Sequence, residues 1–403
     1  MSIEKQPAKW VENLLRFGIR TYIESRSKIV IDRNDTIDLK PPYIILANHV
    51  NNWDPLFINA YVPETISFIA GDSLFRNTFL KKLLDYVGAI PKAKFRNDTS
   101  TIRSIIKAKK HDRVIGIFPE GNRNWDGKTE PLMTATAKLI KLLDIPVVIA
   151  TIRGGYLSHP RWANKHRRGT ISISYQKLWD QGDLKNKSTE TIHYQLTEAL
   201  GHNEMEWQAT EKNLYQGKSL ANYLERLLFI CPHCEKIGHL YSEANRFRCR
   251  ACQYEIEYTE IGEFEQVNYN LIHQTPLDWN QWQLNFLNSI LLRRDSKEKL
   301  MIDDHVKLYV TDEHKPFKLV SSGNITWQNP ANQVIFQADN GEDYQFKIEA
   351  MNGLNIHLHH QLDFTYENKF YRVEFYQPRT SAYKLLKVLQ ILSNAIRKEE
   401  VVS

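Results

Sequence analysis

All four cysteines of this chain lie in two Cys-x-x-Cys pairs, Cys231-Pro232-His233-Cys234 and Cys249-Arg250-Ala251-Cys252, with 14 residues between the pairs. Each pair sets two sulfurs on one tight turn, and two such turns complete a tetrahedral Zn2+ shell. The alternative, two disulfides, belongs to oxidising compartments. The start of the chain has no run of basic, apolar and then small residues of the kind that marks a secretory leader. One structural zinc in a reducing compartment is therefore the expectation, with Cys231, Cys234, Cys249 and Cys252 as ligands. Four thiolates close the shell, so this metal is expected to hold structure and to take no part in chemistry. His233 and His239 are read as bystanders. The surrounding cations Lys236, Arg246, Arg248 and Arg250 are interleaved with Glu235, Glu243, Glu255 and Glu257. No nucleic-acid partner is expected from such a balance, and a scaffolding or protein-binding role fits better.

The module, at roughly 226–258, divides a chain of 403 residues that is too long for one ordinary core. Residues 1–215 alternate apolar strand-like runs with helical stretches, the pattern of an α/β layer. Residues 259–298 read as a Trp-rich helical connector. Residues 299–403 contain seven short strand-like runs: Val306–Val310, Ile325–Trp327, Val334–Phe336, Tyr344–Ile348, Leu354–Leu358, Leu362–Tyr366 and Tyr371–Phe375. An amphipathic helix from Ser381 to Arg397 closes them. Seven strands and a closing helix resemble the pleckstrin-homology-like architecture. This resemblance is one of topology, with no diagnostic motif, so protein docking and a structural role stand beside lipid binding. No apolar run reaches the roughly 18 residues of a membrane span. The expectation is a cytoplasmic protein whose membrane contact is peripheral.

The net charge of +6 is unevenly placed. Between Ile145 and Trp179 there is no Asp or Glu, while Arg153, Arg161, Lys165, Arg167, Arg168 and Lys177 all occur there. Such a stretch attracts anionic surfaces and phosphates, or is simply a solvated face. Near the start, Trp10, Val11, Leu14, Leu15, Phe17 and Tyr22 fall on one broad helical arc opposite Glu12, Asn13, Arg16 and Arg20. That stripe either packs on the protein's own core or lies in a membrane interface.

Two segments carry candidate chemistry. The buried-strand run Tyr43-Ile44-Ile45-Leu46-Ala47 ends in Asn48-His49-Val50-Asn51-Asn52-Trp53-Asp54-Pro55. Asp54 before Pro55 reads as a helix N-cap. It also reads as a carboxylate able to orient His49, leaving the second ring nitrogen to accept a proton from a hydroxyl. The second run, Arg113 to Phe118, ends in Pro119-Glu120-Gly121-Asn122-Arg123. Gly121 permits positive φ or close approach of a ligand, and Arg123 either holds a phosphate or pairs with Glu120 at the surface.

Together these segments resemble the glycerolipid acyltransferase family, whose best-known members acylate glycerol 3-phosphate and lysophosphatidic acid. Asn48, His49 and Asp54 match its first block, and Phe118, Pro119, Glu120, Gly121 and Arg123 match its third. Gly88 to Arg96 matches the second loosely, and Ile145 to Ala150 resembles the fourth. The resemblance covers residues 40–160. The chain departs from the family where Asn124 stands in place of Ser or Thr, where Leu132-Met133-Thr134-Ala135 replaces a basic stretch, and where Ile149 replaces a proline.

The resemblance implies an α/β acyltransferase domain, followed here by a small zinc ribbon and a β-rich C-terminal domain closed by a helix. It implies His49 as general base oriented by Asp54. The acceptor would be held by Glu120, Gly121 and Arg123, with Lys92 and Arg96 from the second block. The donor would be a thioester of CoA or acyl-carrier protein, the acceptor a lysophospholipid or glycerol phosphate at an anionic membrane surface, and no catalytic cofactor would be required. The competing expectation is a non-catalytic lipid- or protein-binding scaffold that keeps the fold. A protein partner for the zinc ribbon or the C-terminal domain is compatible with either.

Overall fold

The computed structural model describes residues 3–4, 7–71, 74–75, 78–92, 99–292, 301–312, 315–328 and 332–402. The chain forms two compact units, Met1–Arg161 with Lys165–Gly217, and Trp162–Asn164 with Lys218–Ser403.

In the first unit, α1 (Lys9–Arg26) leads into β1 (Lys28–Asn34). Then follow β2 (Ile44–Ala47), α2 (Asp54–Ala60), β3 (Ile66–Gly71), α3 (Thr78–Val87), β4 (Ile90–Lys92), α4 (Thr99–Lys110) and β5 (Val114–Ile117). The unit continues through α5 (Thr134–Leu143), β6 (Val147–Arg153), the short α6 (Gly155–Ser158), β7 (Thr170–Trp179), α7 (Thr189–Leu200) and α8 (Glu204–Glu211). The seven strands form one sheet in the order β1-β7-β6-β2-β5-β3-β4. From β6 to β4 all neighbours are parallel, and β7 runs antiparallel to β6. Every residue of β2 and β5 is buried. Helices cover both faces, which is why these strands are continuous apolar runs without polar alternation. On one face Ile44, Leu46, Ile115, Ile117, Val147 and Ile149 pack with Ile105 of α4, Ile140 of α5 and Ile192 of α7. On the other face Tyr175 of β7 donates its hydroxyl hydrogen to the Ile58 carbonyl of α2. Because β6, β2 and β5 are adjacent and parallel, the loops after them emerge at one edge, where open α/β sheets bind ligands.

Helix α1 is inside out. Its only buried residue is Ile23, while Trp10 is 72% exposed, Leu14 61% and Phe17 70%. Its polar side faces the protein: Arg20 Nε donates to the Ala60 carbonyl and Arg16 Nη2 to the Pro63 carbonyl, both at 2.5 Å. The Ala60 carbonyl is one of those α2 leaves unpaired at its C-terminal end, which cationic donors satisfy well. Periodicity measures that a helix has two faces, and here hydrogen bonding decides which one turns inward.

The six cations of the acid-free stretch do not form one solvated face either. Arg161 and Arg167 are buried, while Lys165, Arg168 and Lys177 are exposed.

In the second unit, β8 (Leu240–Glu243), β9 (Arg246–Cys249), β10 (Glu255–Tyr258) and β11 (Phe264–Gln266) form an antiparallel sheet beside the cysteines. The expected helical connector is helical only from Pro276: residues 259–275 hold β11 and turns, and α9 spans Pro276–Leu291. Pro276 stands at the first helical position after Thr275, whose hydroxyl accepts from Asp278 N–H while the Asp278 carboxylate accepts from Thr275 N–H. Those local signals fix the start of α9. Next come β12 (Met301–Thr311), β13 (Lys318–Gln328), β14 (Gln333–Ala338), β15 (Asp343–Lys347), β16 (Asn352–His357), β17 (Gln361–Tyr366) and β18 (Lys369–Glu374). They form an antiparallel sheet in the order β15-β14-β13-β12-β18-β17-β16. The last helix, α10 (Ala382–Val402), buries Leu385, Val388 and Leu389 and contacts β16, β17 and α9.

Candidate active site

His49 stands just past the end of β2. Asn48 fixes that exit, because its side chain donates to the Ile152 carbonyl at 2.9 Å and accepts from Ile152 N–H at 2.8 Å. The amide thus continues the β2–β6 ladder after the strand has ended, and the chain is free to turn at His49.

The turn closes on Asp54, which is fully buried. Its Oδ2 lies 2.7 Å from His49 Nδ1 and accepts from the backbone N–H of Val50 at 2.7 Å and of Asn51 at 2.9 Å. Asp54 is the first residue of α2 and caps no helix, since the N-cap position belongs to Trp53, which makes no side-chain cap bond. Its carboxylate reaches back into the loop and holds the turn that carries the histidine. An ionised carboxylate only accepts hydrogen bonds, so Nδ1 carries the hydrogen and Nε2 of a neutral ring keeps its lone pair. Burial lowers the imidazole below its ordinary value, against Asp54, which raises it; nearby Arg123 and Arg161 lower it further. The balance leaves a neutral ring with a basic Nε2. Phe118 stacks on it, with ring centroids 4.2 Å apart.

The loop after β5 is stitched to this turn from both sides of one residue. His49 N–H donates to Glu120 Oε1 at 2.6 Å, and Asn124 N–H donates to the His49 carbonyl at 3.0 Å. Glu120 Oε2 also accepts from Glu130 N–H at 2.8 Å. Glu120 is therefore buried and ties two loops together, and no salt bridge joins it to Arg123 among the described residues. Burial pushes its carboxyl up to about 8, although both N–H donors favour the ionised form. Gly121 has φ +71°, and a Cβ there would meet Met133 at 3.3 Å. Lys92, at the end of β4, also borders Met133, with Nζ 3.9 Å from its sulfur. Arg123 is lowered to about 10 by burial. The structure thus brings His49, Asp54, Glu120, Gly121 and Arg123 together, and sets Lys92 beside Gly121. Arg96 lies outside the described residues.

Other supports were not singled out by sequence reasoning. Arg161 donates to the Arg123 carbonyl at 2.7 Å and lies over the Trp125 ring at 4.4 Å. Asn51 Nδ2 donates to the Gly155 carbonyl at 3.2 Å. A Cβ on Gly154 would fall 2.1 Å from the Thr170 carbonyl oxygen, so only glycine fits where the chain leaves β6. Fully buried Glu204 accepts from Leu157 N–H at 3.3 Å, contacts His202 Nε2 at 2.7 Å and donates its own N–H to the Gly127 carbonyl. Apart from the His202–Glu204 pair, these contacts join distant segments and leave no local signature. The doubled glycine at 154–155 was the one visible sign.

The four cysteines form a separate centre. Their sulfurs all lie within 4.8 Å of one another, with 3.7 Å between Cys231 and Cys252 and between Cys234 and Cys249. A tetrahedron of sulfurs about 2.3 Å from a zinc ion has edges of about 3.8 Å. Both turns share one pattern: Glu235 N–H bonds the Cys231 carbonyl and Cys231 N–H the Lys236 carbonyl, as Gln253 does to Cys249 and Cys249 to Tyr254. Glu235 and Gln253 occupy the same position and both have positive φ, 58° and 63°.

Residues 28–153 match the family model described as Acyltransferase. That span runs from β1 through the whole of the His49 and Glu120 loops to the end of β6. Among curated proteins, the chain is 32% identical over 115 residues to a 1-acyl-sn-glycerol-3-phosphate acyltransferase of Borreliella burgdorferi, covering 28% of this chain and 46% of that protein. It is 21% identical over 184 residues to the Bacillus subtilis protein of the same name, covering 45% of this chain and 89% of that one. The chain thus spans about half the length of the Borreliella relative. Among solved structures, a 1-acyl-sn-glycerophosphate (LPA) acyltransferase, PlsC, from Thermotoga maritima overlaps 48% of this chain and 78% of its own, with a TM-score of 0.42 and 21% identity. The family model's span lies within the first unit.

Proposed function

We propose that the chain is an O-acyltransferase that moves a fatty acyl group from a thioester, of CoA or acyl-carrier protein, to the hydroxyl of a phosphate-bearing glycerolipid such as lysophosphatidic acid. The observation that carries this reading is the buried Asp54 holding Nδ1–H of a neutral His49 whose Nε2 stays basic, on a turn bound to the loop of Arg123. Similarity to proteins named 1-acyl-sn-glycerol-3-phosphate acyltransferases supports the choice of acceptor.

In this mechanism Nε2 of His49 takes the hydroxyl proton as the acceptor oxygen attacks the thioester carbonyl. Asp54 stabilises the imidazolium that forms. Collapse of the tetrahedral species breaks the C–S bond, and the imidazolium returns its proton to the departing thiolate. No acyl-enzyme forms. Positioned base catalysis of this kind contributes about 10²–10⁴-fold. Arg123, with Lys92 and Arg96, is the proposed grip on the acceptor phosphate, and Glu120 and Gly121 shape the loop that presents it.

The cysteine centre is proposed to hold one Zn2+ in a zinc ribbon, as the sulfur spacing supports, with four thiolates leaving no position for substrate. The antiparallel sheet and α10 are proposed as a pleckstrin-homology-like domain for docking. No helix among the described residues is long and apolar enough to cross a membrane. The outward face of α1 is the proposed contact with lipid in the cytoplasm, with Trp10 and Phe17 entering the headgroup layer and Lys9 and Arg26 meeting anionic lipid. The test is incubation of the purified chain with an acyl thioester and lysophosphatidic acid, with products read by mass. Formation of the diacyl product supports the reading, and its absence with a folded protein and a panel of thioesters overturns it.

A further inference from the structure

Helix α1 meets the His49 turn through a pair of rings. Tyr22 and Trp53 lie 5.4 Å apart, with their planes at 32°. Trp53 belongs to that turn: its N–H donates to the Asn51 side chain at 2.7 Å, and its carbonyl accepts from Leu56 and Phe57 N–H at 2.9 Å. Tyr22 ends a row at four-residue spacing, Trp10, Leu14, Gly18 and Tyr22, and positions four apart stand one above the other on a helix. All four are exposed. No member of the row is charged, and the polar residues beside it are engaged elsewhere. Asn13 accepts from Arg16 at 3.2 Å, and Glu24 accepts from the Tyr61 hydroxyl at 2.9 Å.

Gly18 breaks this row. Glycine inside a helix is destabilising relative to alanine, and here nothing in the fold calls for it. A Cβ at Gly18 would meet no atom within 4 Å among the described residues, and its backbone is not one of the positive-φ glycines. The missing side chain leaves a notch between Leu14 and Tyr22 that faces outward. From Trp10 to Tyr22 the row runs about 18 Å at about 1.5 Å per residue. That is close to the depth of one leaflet, half of a hydrocarbon core of roughly 30 Å. A fatty chain is uncharged, flexible and of that length. In lysophosphatidic acid the reacting hydroxyl stands between the phosphate and the acyl chain. A phosphate held by Arg123 and Lys92, on the β5 and β4 side of His49, therefore sends the chain out by another path.

We propose that the acyl chain of the acceptor leaves His49 over Trp53 and Tyr22 and seats in the Gly18 notch, with Leu14 and Trp10 beyond it. The assignment to the acceptor rests on the acyltransferase reading, whereas the apolar seat itself does not. The seat makes Gly18 and Tyr22 selectors of acceptor chain length, a role separate from the entry of Trp10 and Phe17 into the headgroup layer. The two roles answer differently to one substitution. A bilayer contact gains from a larger apolar residue at position 18, whereas a seat is filled by it.

The full chain is compared as wild type, Gly18→Leu and Tyr22→Ser. Each is titrated calorimetrically with oleoyl lysophosphatidic acid below its micelle concentration, and assayed for transfer to the oleoyl and hexanoyl forms. Leucine suits a helix better than glycine and meets open space here, so the Tm of Gly18→Leu should not fall. The expected result is about a tenfold loss of oleoyl affinity in each variant. In Gly18→Leu, KM for the oleoyl form should rise about tenfold while kcat, KM for the hexanoyl form and sedimentation with anionic vesicles hold. Unaltered oleoyl affinity in either variant would overturn the seat, and so would an equal rise in KM for both chain lengths. Oleoyl binding weakened in both variants, in a protein that transfers no acyl group, would sink the acyltransferase reading and leave the seat standing.

Discussion

The cysteine centre and the His49 turn both converge polar atoms on one point, yet they end in opposite chemical states. In the first, two copies of one turn direct four sulfurs at each other, and a bound metal would have every position filled. In the second, one buried carboxylate spends its Oδ2 on three donors, and the histidine it holds keeps a nitrogen unspent. Saturated donors make a brace, whereas an unsatisfied basic atom on a rigid turn makes a reagent. The two centres should therefore fail differently.

The largest effect should come from the brace. Cys231→Ser should release the metal, with about one zinc per chain lost by elemental analysis, and melt the ribbon. Apparent zinc binding in finger peptides reaches about 10–16 kcal/mol, so a large fall in Tm is expected. An unchanged melting curve after verified metal loss would erase the distinction drawn here. Next comes the reagent. Asp54→Asn keeps an oxygen for the Val50 and Asn51 N–H groups but replaces the carboxylate facing Nδ1. Transfer should fall by about 10²–10⁴-fold with little change in Tm, the reverse of the cysteine result.

A smaller effect should separate α1 from both centres. Trp10→Ser with Phe17→Ser should weaken binding to anionic vesicles by about tenfold, since each side chain contributes at most about 1.5–3 kcal/mol on full burial. Sedimentation with vesicles checks this, and Tm should not fall because neither side chain is in the core. The smallest expected effect concerns Glu120. Its folded value of about 8 lies above the unfolded one, so the folded state binds the proton more tightly. The stability this contributes is full at low pH and is lost as pH rises through about 8. Wild type should thus lose Tm relative to Glu120→Gln between pH 5 and 8, by a few degrees. A constant difference would place the Glu120 proton elsewhere.

The same contrast governs what the sequence could tell. The cysteine turns are local, so spacing alone located all four sulfurs. The strands after 300 were legible for a similar reason, because each alternating run specifies itself, but their ends moved, most of all in β13, which starts at Lys318 and not at the expected Ile325. The candidate site was legible as two strand–loop segments, since β2 and β5 announce themselves as apolar runs. Their junction was not, because the His49–Glu120 and His49–Asn124 bonds span more than 70 residues and depend on strand order. Asp54 had two local readings, and only the position of the loop chose between cap and clamp. For α1 the two faces were readable and their direction was not, because Arg16 and Arg20 find unpaired carbonyls beyond the helix itself. Composition likewise counted Arg161 and Arg167 without revealing that both are buried.

The central claim is that Nε2 of a neutral His49 takes the acceptor's proton. It is tested most directly by the pH dependence of kcat/KM for lysophosphatidic acid, measured beside His49→Gln with Tm as a fold control. His49 is held below the ordinary imidazole range, so activity should persist at pH 6.5 and decline only as pH falls through a lower midpoint. His49→Gln should lose about 10²–10⁴-fold and the acidic limb with it, while keeping the wild-type Tm. A folded His49→Gln protein with the wild-type rate and an unchanged acidic limb would contradict the claim.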